Sequence, residues 1–470
     1  MTGAANRLAK SAPGAADRSA LRRSGPLLGA FVLTGCAVLY LVLYAKAATL
    51  DVVYADYLLP PFITAVDACM SGQDCIGALL APTSNGYRWT VPALLLSANA
   101  MLFGLTTRFE LALGFVGLIL ASLTLYLWLS TTWLRSARAA AAVAAWLPCL
   151  FFLFNLNQWE NIVLGIGGYH LLGLAALFPC LWAVDHLLRA PRVTTRQAVA
   201  LFLALVVSSA FLLQYFVVLA ASAALLALLA VAAGQRGGRA VLLTVLAASV
   251  VGLLLTFVPG ASLAQSSLVR PGAGELTSVA RFFLNMLAAA MLQWEGKRVL
   301  ADSGYLLGLP ALIAFAMAIW LYVSQRMYRT SWLPLALCIY SLLACAVVSF
   351  SRFRYGVEYG FASRYTSQTI LGLIGCYLVL IKALEDRTQE RGAIGLLAAF
   401  CLGATVLQVA THVVQWQIAP HRQAYYREVA RVAATYEQAS DADLALFQIP
   451  LESTRQALPV LRRHRLAFFR

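Results

Sequence analysis

Residues 26–46 have the sequence PLLGAFVLTGCAVLYLVLYAK, an apolar run of the length that one membrane crossing requires. The run is longer than the core of a signal peptide and no small-residue cleavage site is evident, so we predict a retained anchor. One acid, Asp17, and five basic residues precede it: Arg7, Lys10, Arg18, Arg22 and Arg23. Because basic residues collect on the cytoplasmic side of a membrane, the N-terminus is predicted to be cytoplasmic.

The composition of the whole chain shows the same preference for lipid. Of its 470 residues, 61% are apolar and 12% are charged, and the mean hydropathy is +0.77. Soluble proteins carry about 25% charged residues, so this composition excludes a soluble enzyme and a disordered chain. The net charge of +15 fits basic cytoplasmic loops. Since no soluble basic module is present, we expect the lipid bilayer as a partner and no nucleic acid.

Hydropathy predicts ten crossings after the first. A helix crosses the hydrocarbon core with about 20 residues, so the longer stretch Ala198–Ala233 is predicted to form two helices that turn near Ser208–Tyr215. The other spans are predicted at Phe109–Leu129, Ala139–Phe154, Ile162–Val184, Val241–Val258, Tyr305–Val323, Leu333–Phe350, Thr366–Ala383 and Ile394–Val414. We therefore predict an all-α polytopic membrane protein with about eleven transmembrane helices.

The stretch Val91–Leu105 is ambiguous because it has only 15 residues and carries Pro92 in its first turn. Counted as a span, it would place later pairs of arginines, such as Arg326 and Arg329, on the outer side. Interpreted as a helix that lies in the outer interface, it leaves those arginines on the inner side, as the positive-inside rule favours. The C-terminus is then predicted to be on the outer side.

This topology divides the chain into three parts: a disordered cytoplasmic tail (1–25), a transmembrane domain (26–414) and a small outer helical cap (415–470). The first outer loop covers residues 50–108 and contains the in-plane helix 91–105. In the cap, five apolar or aromatic side chains fall at helical spacing: Tyr425, Val429, Val432, Ala433 and Tyr436.

Two of the nine cysteines, Cys69 and Cys75, lie in the first outer loop, and the other seven lie in or beside predicted spans. An oxidising outer compartment and a short connector that contains glycine favour a disulfide between them. A metal site is the alternative, but it would need further ligands, and no histidine accompanies the pair.

Polar residues at the outer ends of the spans are candidates for chemistry. Asp51 and Asp56 follow the first span, where partial burial raises the pKa of a carboxyl group and suits it to act as a general base. The alternative is a helix end exposed to water. Trp159, Glu160 and Asn161 lie between two spans, where they could stack on and hydrogen-bond a sugar or form an interfacial anchor.

A cluster of arginines departs from the positive-inside rule. Arg352, Arg354 and Arg364 are predicted on the outer side, with only Glu358 between them to offset their charge. Guanidinium groups bind phosphate and pyrophosphate through charge and paired hydrogen bonds, so the cluster indicates a phosphate ligand. Simple anchoring to lipid headgroups is the alternative.

These residues carry a resemblance to the GT-C-type integral membrane glycosyltransferases, in particular to a bacterial branch near the protein mannosyltransferases. The resemblance covers residues 26–414 and rests on four short motifs: Tyr-Ala-Asp-Tyr at 54–57, Asn-Gly-Tyr-Arg at 85–88, Gln-Trp-Glu-Asn at 158–161 and Ala-Ser-Arg-Tyr-Thr at 362–366. The chain departs from the family where Gly86-Tyr87 replaces a frequent Glu-His, and where Asp56-Tyr57 replaces an acidic pair.

The resemblance implies a sugar transfer from a polyprenyl-phosphate donor to a glycan or lipid-linked acceptor, on the periplasmic face of a bacterial inner membrane. Asp56, or otherwise Asp51, is implied as the base of an inverting displacement. The implied substrate and lipid-phosphate contacts are Arg88, Trp159, Glu160, Asn161, Arg352, Arg354, Arg364 and Tyr365. No cofactor is certain, and a divalent metal ion, Mg²⁺ or Mn²⁺, is left open.

Two alternatives come from other functional classes. A flippase or transporter of a lipid-linked glycan needs charged residues along a path through the spans, and Asp185 with His186 is the only such pair, at a cytoplasmic end. A non-catalytic membrane partner of a polysaccharide assembly complex needs no reactive residue. Replacement of Asp56 by Asn distinguishes an enzyme from both.

Overall fold

The computed structural model describes residues 14–82, 88–134, 139–213, 215–257, 271–293, 303–386 and 389–470. Within these residues, eleven helices are long and apolar enough to cross a membrane, which confirms the predicted all-α polytopic class. They are Pro26–Ala48, Thr107–Trp133, Ala140–Val163, Gly165–Arg189, Thr195–Leu212, Tyr215–Ala232, Gly237–Thr256, Tyr305–Ser324, Leu333–Tyr355, Ser363–Glu385 and Arg391–Ala434. The described residues form no strand, and an isolated bridge joins Pro82 and Arg88.

The predicted hairpin in residues 198–233 consists of two helices, Thr195–Leu212 and Tyr215–Ala232. The first helix ends at Leu213, whose φ of +54° is unfavourable for a residue with a side chain and reverses the chain. The turn therefore lies within the predicted range.

The first outer loop is itself largely helical. It contains a 3₁₀ turn at Ala55–Leu58 and helices at Pro60–Met70, Cys75–Leu80 and Thr90–Phe103. The last of these has 14 residues, which give about 21 Å at 1.5 Å per residue, too short for a hydrocarbon core of about 30 Å. Cys69 and Cys75 form a disulfide between the second and third elements, with their Cα atoms 4.4 Å apart.

Glycines allow two spans to pack closely. A Cβ atom on Gly114 would lie 2.8 Å from the Cα of Gly168, and one on Gly117 would lie 2.4 Å from the carbonyl oxygen of Leu171. Small residues of this kind bring transmembrane helices into van der Waals contact. The starts of the spans Thr107–Trp133 and Gly165–Arg189 are thereby held side by side, next to the first outer loop.

The ends of the chain differ in detail from the sequence prediction. Residues 1–13 of the predicted disordered tail lie outside the described residues, and residues 14–25 belong to the first helix, Gly14–Ala48. The predicted boundary at 415 falls inside one continuous helix, Arg391–Ala434. Its 44 residues give about 66 Å, so the helix extends well beyond a bilayer. Two short helices, Asp441–Leu444 and Leu451–Arg463, follow it.

Residues 415–470, the C-terminal cap, pack on the first outer loop. Buried apolar side chains from both regions form one core, separate from the main core of the bundle, and include Tyr57, Phe62, Val429, Phe447 and Leu461. Asp67 of the loop also pairs with Arg463 at 3.3 Å and His464 at 2.7 Å. Because the two regions are in contact, they lie on the same side of the bundle.

Candidate active site

A cavity lies where the first outer loop meets the bundle and the C-terminal cap. Its walls come from residues 52–57, residues 160–166, Arg364 and Gln448. It brings together three residues that the sequence predicts as functional, Asp56, Glu160 and Arg364, although they are up to 308 positions apart in the chain. The cavity is therefore the candidate active site.

Asp56 sits in the 3₁₀ turn Ala55–Leu58, directly after Ala55, whose φ is +54°. Its carboxylate accepts no hydrogen bond from the described residues. Burial raises the pKa of Asp56, and the charge of Glu160 raises it further, while the positive charges of Arg364 and Arg352 oppose the rise. A partly desolvated carboxylate without a fixed partner is suited to accept a proton from a ligand.

Glu160 and Asn161 hold Arg364 in place. Glu160 Oε2 accepts hydrogen bonds from Ser363 Oγ at 3.1 Å and from the backbone nitrogen of Arg364 at 2.9 Å. Asn161 Nδ2 donates to the carbonyl oxygen of Arg364 at 3.1 Å. These bonds tie the 158–161 motif to the 362–366 motif, so the principal protein contacts of both predicted sugar-binding residues are with the arginine segment.

The guanidinium of Arg364 is available to a ligand. It lies 4.0 Å from Glu160 Oε2 and its side chain is 41% exposed. Its Nε is the buried atom that faces Glu160, and its two terminal nitrogens form no hydrogen bond with the described residues. Tyr365 lies beside it, with the ring centre 6.0 Å from the guanidinium carbon. A cation held at a cavity wall with unused donors is suited to bind an anion such as phosphate.

The other predicted cations lie outside the cavity. Arg354 forms a two-pronged pair with Glu275, at 3.2 and 3.1 Å. Arg88 donates to the carbonyl oxygens of Leu254 and Leu255 at the end of the helix Gly237–Thr256, while residues 83–87 of its motif lie outside the described residues. The guanidinium of Arg352 lies 5.3 Å from the ring centre of Tyr355.

Trp159 and Asp51 are engaged in contacts within the protein. The guanidinium of Arg422 lies 3.7 Å from the centre of the Trp159 ring, so a sugar cannot stack on that face. Asp51 accepts hydrogen bonds from Thr106 Oγ1 at 2.7 Å and from Thr107 N at 2.8 Å. It fixes the first outer loop to the start of the span Thr107–Trp133, and it does not line the cavity.

Sequence reasoning missed the residue that anchors Tyr57, the chain neighbour of Asp56. Glu110 is fully buried and accepts hydrogen bonds from Asn99 Nδ2 at 2.6 Å, Tyr57 Oη at 3.2 Å and Tyr169 Oη at 3.4 Å. It joins the first outer loop to two spans directly beside Asp56. An acid inside a predicted apolar span was the signal that could have identified it.

No metal site is formed by the described residues, in which no group of three or more His, Cys, Asp or Glu side chains could hold an ion. Asp56 and Glu160 are the carboxylates on the cavity, and Glu160 Oε2 is occupied by Ser363 and Arg364. A Mg²⁺ or Mn²⁺ ion would therefore need further ligands, such as the oxygens of a bound phosphate.

A comparison with known protein families, curated proteins and solved structures found no match to this chain. Three features of the chain itself indicate a function: the cavity, the chemistry of Asp56 and Arg364, and the four short motifs that resemble the GT-C enzymes.

Proposed function

We propose that the protein is a membrane glycosyltransferase of the GT-C type, which moves a sugar from a polyprenyl phosphate to a hydroxyl group of a glycan or lipid-linked acceptor. One observation supports this above all: Asp56 and Arg364 line the same cavity, although 307 residues separate them. Among the described residues, the cavity thus offers a carboxylate without a hydrogen-bond partner and a guanidinium with unused donors, the two groups that this transfer requires.

The proposed reaction is a single displacement at the anomeric carbon. Asp56 accepts the proton of the acceptor hydroxyl while the oxygen of that hydroxyl bonds to the anomeric carbon. The bond from the anomeric carbon to the phosphate oxygen breaks at the same time. The leaving polyprenyl phosphate takes the bonding electrons, and Arg364 stabilises its charge, with Arg352 adding positive potential. The anomeric configuration inverts, and a product that retains it would exclude this step.

The proposal also includes the side of the membrane on which the cavity opens. The first outer loop and the C-terminal cap are in contact, so they share a side. The basic residues before the first span favour the cytoplasm for the opposite side. We therefore infer a multi-pass protein of a bacterial inner membrane whose cavity opens to the periplasm, where a lipid-linked donor arrives through the bilayer.

The substitution Asp56→Asn tests the function. It removes the base and keeps the size of the side chain, so we expect transfer to fall at least about 100-fold. The measurement compares envelope glycans by mass between a deletion strain and the same strain that carries each variant. Asp74→Asn is the matched control, because Asn replaces Asp as an N-cap with little loss and the cap bond to Gly77 persists.

If Asp56→Asn restores the envelope glycans as well as the wild-type protein does, the enzyme proposal is wrong. A transporter or a scaffold then remains. The contacts at Asp185 give transport no support, because that carboxylate is paired with Arg189 at 2.9 Å and also accepts a hydrogen bond from the backbone of Trp332.

A further inference from the structure

The C-terminal cap contributes one of its described residues, Gln448, to the wall of the cavity that holds Asp56 and Arg364. Gln448 comes from the segment between the two short helices Asp441–Leu444 and Leu451–Arg463. No sequence motif connects this segment with the polar residues of the first outer loop. The cavity is therefore closed by a part of the chain that the proposed mechanism does not yet use.

One hydrogen bond orients the exposed amide of Gln448, and the backbone at this residue is strained. Its backbone φ of +57° is unfavourable for a residue other than glycine. Gln448 Nε2 donates to Tyr425 Oη at 3.0 Å, and Tyr425 in turn donates to the carbonyl oxygen of Leu446. Gln448 Oε1 accepts no hydrogen bond from the described residues, so the amide presents an unused acceptor.

The chemistry of this amide differs from that of Arg364, which lines the same cavity. A neutral carbonyl oxygen accepts a hydrogen bond from a hydroxyl group, but it repels the oxygens of a phosphate. Arg364 supplies the positive charge that a phosphate needs. The cavity thus has one lining residue suited to the leaving phosphate and another, from the cap, suited to a neutral hydroxyl-bearing molecule.

We propose that Gln448 forms part of an acceptor subsite, in which its Oε1 accepts a hydrogen bond from one hydroxyl of a polyhydroxyl acceptor while a neighbouring hydroxyl reacts at Asp56. This inference rests on the proposed glycosyl transfer and specifies its acceptor. An acceptor with adjacent hydroxyl groups, as in a sugar, can engage both Gln448 and Asp56, whereas an isolated alcohol can engage only one of them. Gln448 is then a specificity-determining residue supplied by the cap.

Two measurements on the full-length protein test the subsite. The first is the affinity of the protein in nanodiscs for undecaprenyl phosphate, which represents the leaving lipid. The second is the amount of modified envelope glycan in a deletion strain that carries each variant. We expect Gln448→Ala to keep the affinity within twofold and to lower glycan modification roughly two- to tenfold, the effect of one lost hydrogen bond between neutral groups.

Three further variants calibrate the result. Arg364→Gln should lose the affinity for undecaprenyl phosphate, because it removes the cation. Tyr425→Phe removes the hydroxyl that orients the amide and should reproduce part of the Gln448→Ala effect. Gln456→Ala changes an exposed glutamine of the same cap that bonds only to Glu452 and should leave both measurements unchanged.

The subsite is wrong if Gln448→Ala leaves glycan modification at the wild-type amount, or if it weakens lipid binding as strongly as Arg364→Gln does. If the wild-type protein neither binds undecaprenyl phosphate nor changes the envelope glycans, the proposed function itself fails, and the subsite fails with it. The behaviour of the wild-type protein therefore separates the two failures.

Discussion

At the scale of single residues, Asp56 occupies a position that costs stability. It follows a residue with positive φ, and its carboxylate is partly removed from water without receiving a hydrogen bond from the described residues. Arg364 compensates only in part, since the pKa of Asp56 stays above its ordinary value of 3.8. Such an arrangement is typical of a functional residue, because a structural acid acquires hydrogen bonds, as Asp51 does.

The raised pKa of Asp56 predicts the pH dependence of activity. As the proposed base it must be ionised, so the rate should fall as the pH falls through this raised pKa, at a higher pH than an ordinary aspartate would give. The measurement is the initial rate of glycan transfer against pH. An acid limb centred at or below pH 3.8 contradicts the prediction.

The same shift predicts the stability of Asp56→Asn. Burial penalises the charged form, so Asp56 lowers the stability of the folded protein as the pH rises from 3.8 through the raised pKa. At pH 7 the asparagine variant should therefore unfold at the same temperature as the wild-type protein or at a higher one. Thermal unfolding in detergent measures this, and a clear decrease would indicate a structural role.

Glu110 is buried like Asp56, but it has hydrogen-bond partners. Asn99, Tyr57 and Tyr169 all donate to its carboxylate oxygens, so the apolar variant Glu110→Leu would leave these buried donors without their acceptor. We expect a loss of about 1–3 kcal/mol, the cost of leaving a buried polar group unsatisfied, seen as a lower unfolding temperature. The exposed Glu358→Leu serves as the control, and equal unfolding temperatures for the two variants would contradict the prediction.

At the scale of elements, the contact between the spans Thr107–Trp133 and Gly165–Arg189 positions the outer loop residues. The contact depends on glycine, since a side chain at Gly117 would overlap the backbone of Leu171 and Leu172. Both Asp51 and Tyr57 attach to the start of the first of these spans. Asp56 thus depends on helix packing that begins several turns away.

The substitution Gly117→Leu tests this packing. It forces the two spans apart, and we expect a destabilisation of about 1–3 kcal/mol or more, the usual effect of overpacking. Gly35→Leu is the matched control, because Gly35 lies in the first span with no atom within 4 Å of its added Cβ. The fraction of folded protein after heating, measured by size-exclusion chromatography, should fall only for the first variant.

At the scale of the whole molecule, the two parts of the chain outside the bundle form one unit. The first outer loop and the C-terminal cap share a hydrophobic core and an ion pair between Asp67 and Arg463. An odd number of spans, eleven, separates the N-terminal segment from the cap. The N-terminus and the cap therefore lie on opposite sides of the membrane if all eleven spans cross it.

The absolute orientation is testable by labelling. Gln456→Cys lies in the cap, and Gln325→Cys lies in a loop between two spans at the other end of the bundle; both positions are exposed. In intact spheroplasts a membrane-impermeant maleimide should label the first variant, and the second should react only after permeabilisation. The reverse pattern would invert the topology and remove the cavity from the periplasm.

The sequence by itself determined the all-α class, the eleven spans and the identity of three cavity residues. Hydropathy is a property of a short window of residues, so it predicts membrane spans without knowledge of the fold. Asp56, Glu160 and Arg364 were identified because charged residues at the ends of apolar spans are candidates for function.

Only the tertiary structure decided how these residues meet. Segments hundreds of residues apart in the chain pack together. This packing places Glu160 in hydrogen-bond contact with Arg364, Arg422 over the ring of Trp159, and Gln448 at the cavity. The sequence pattern reports which residues face away from lipid, but not which partner each one finds, because that choice depends on contacts between helices that no local window contains.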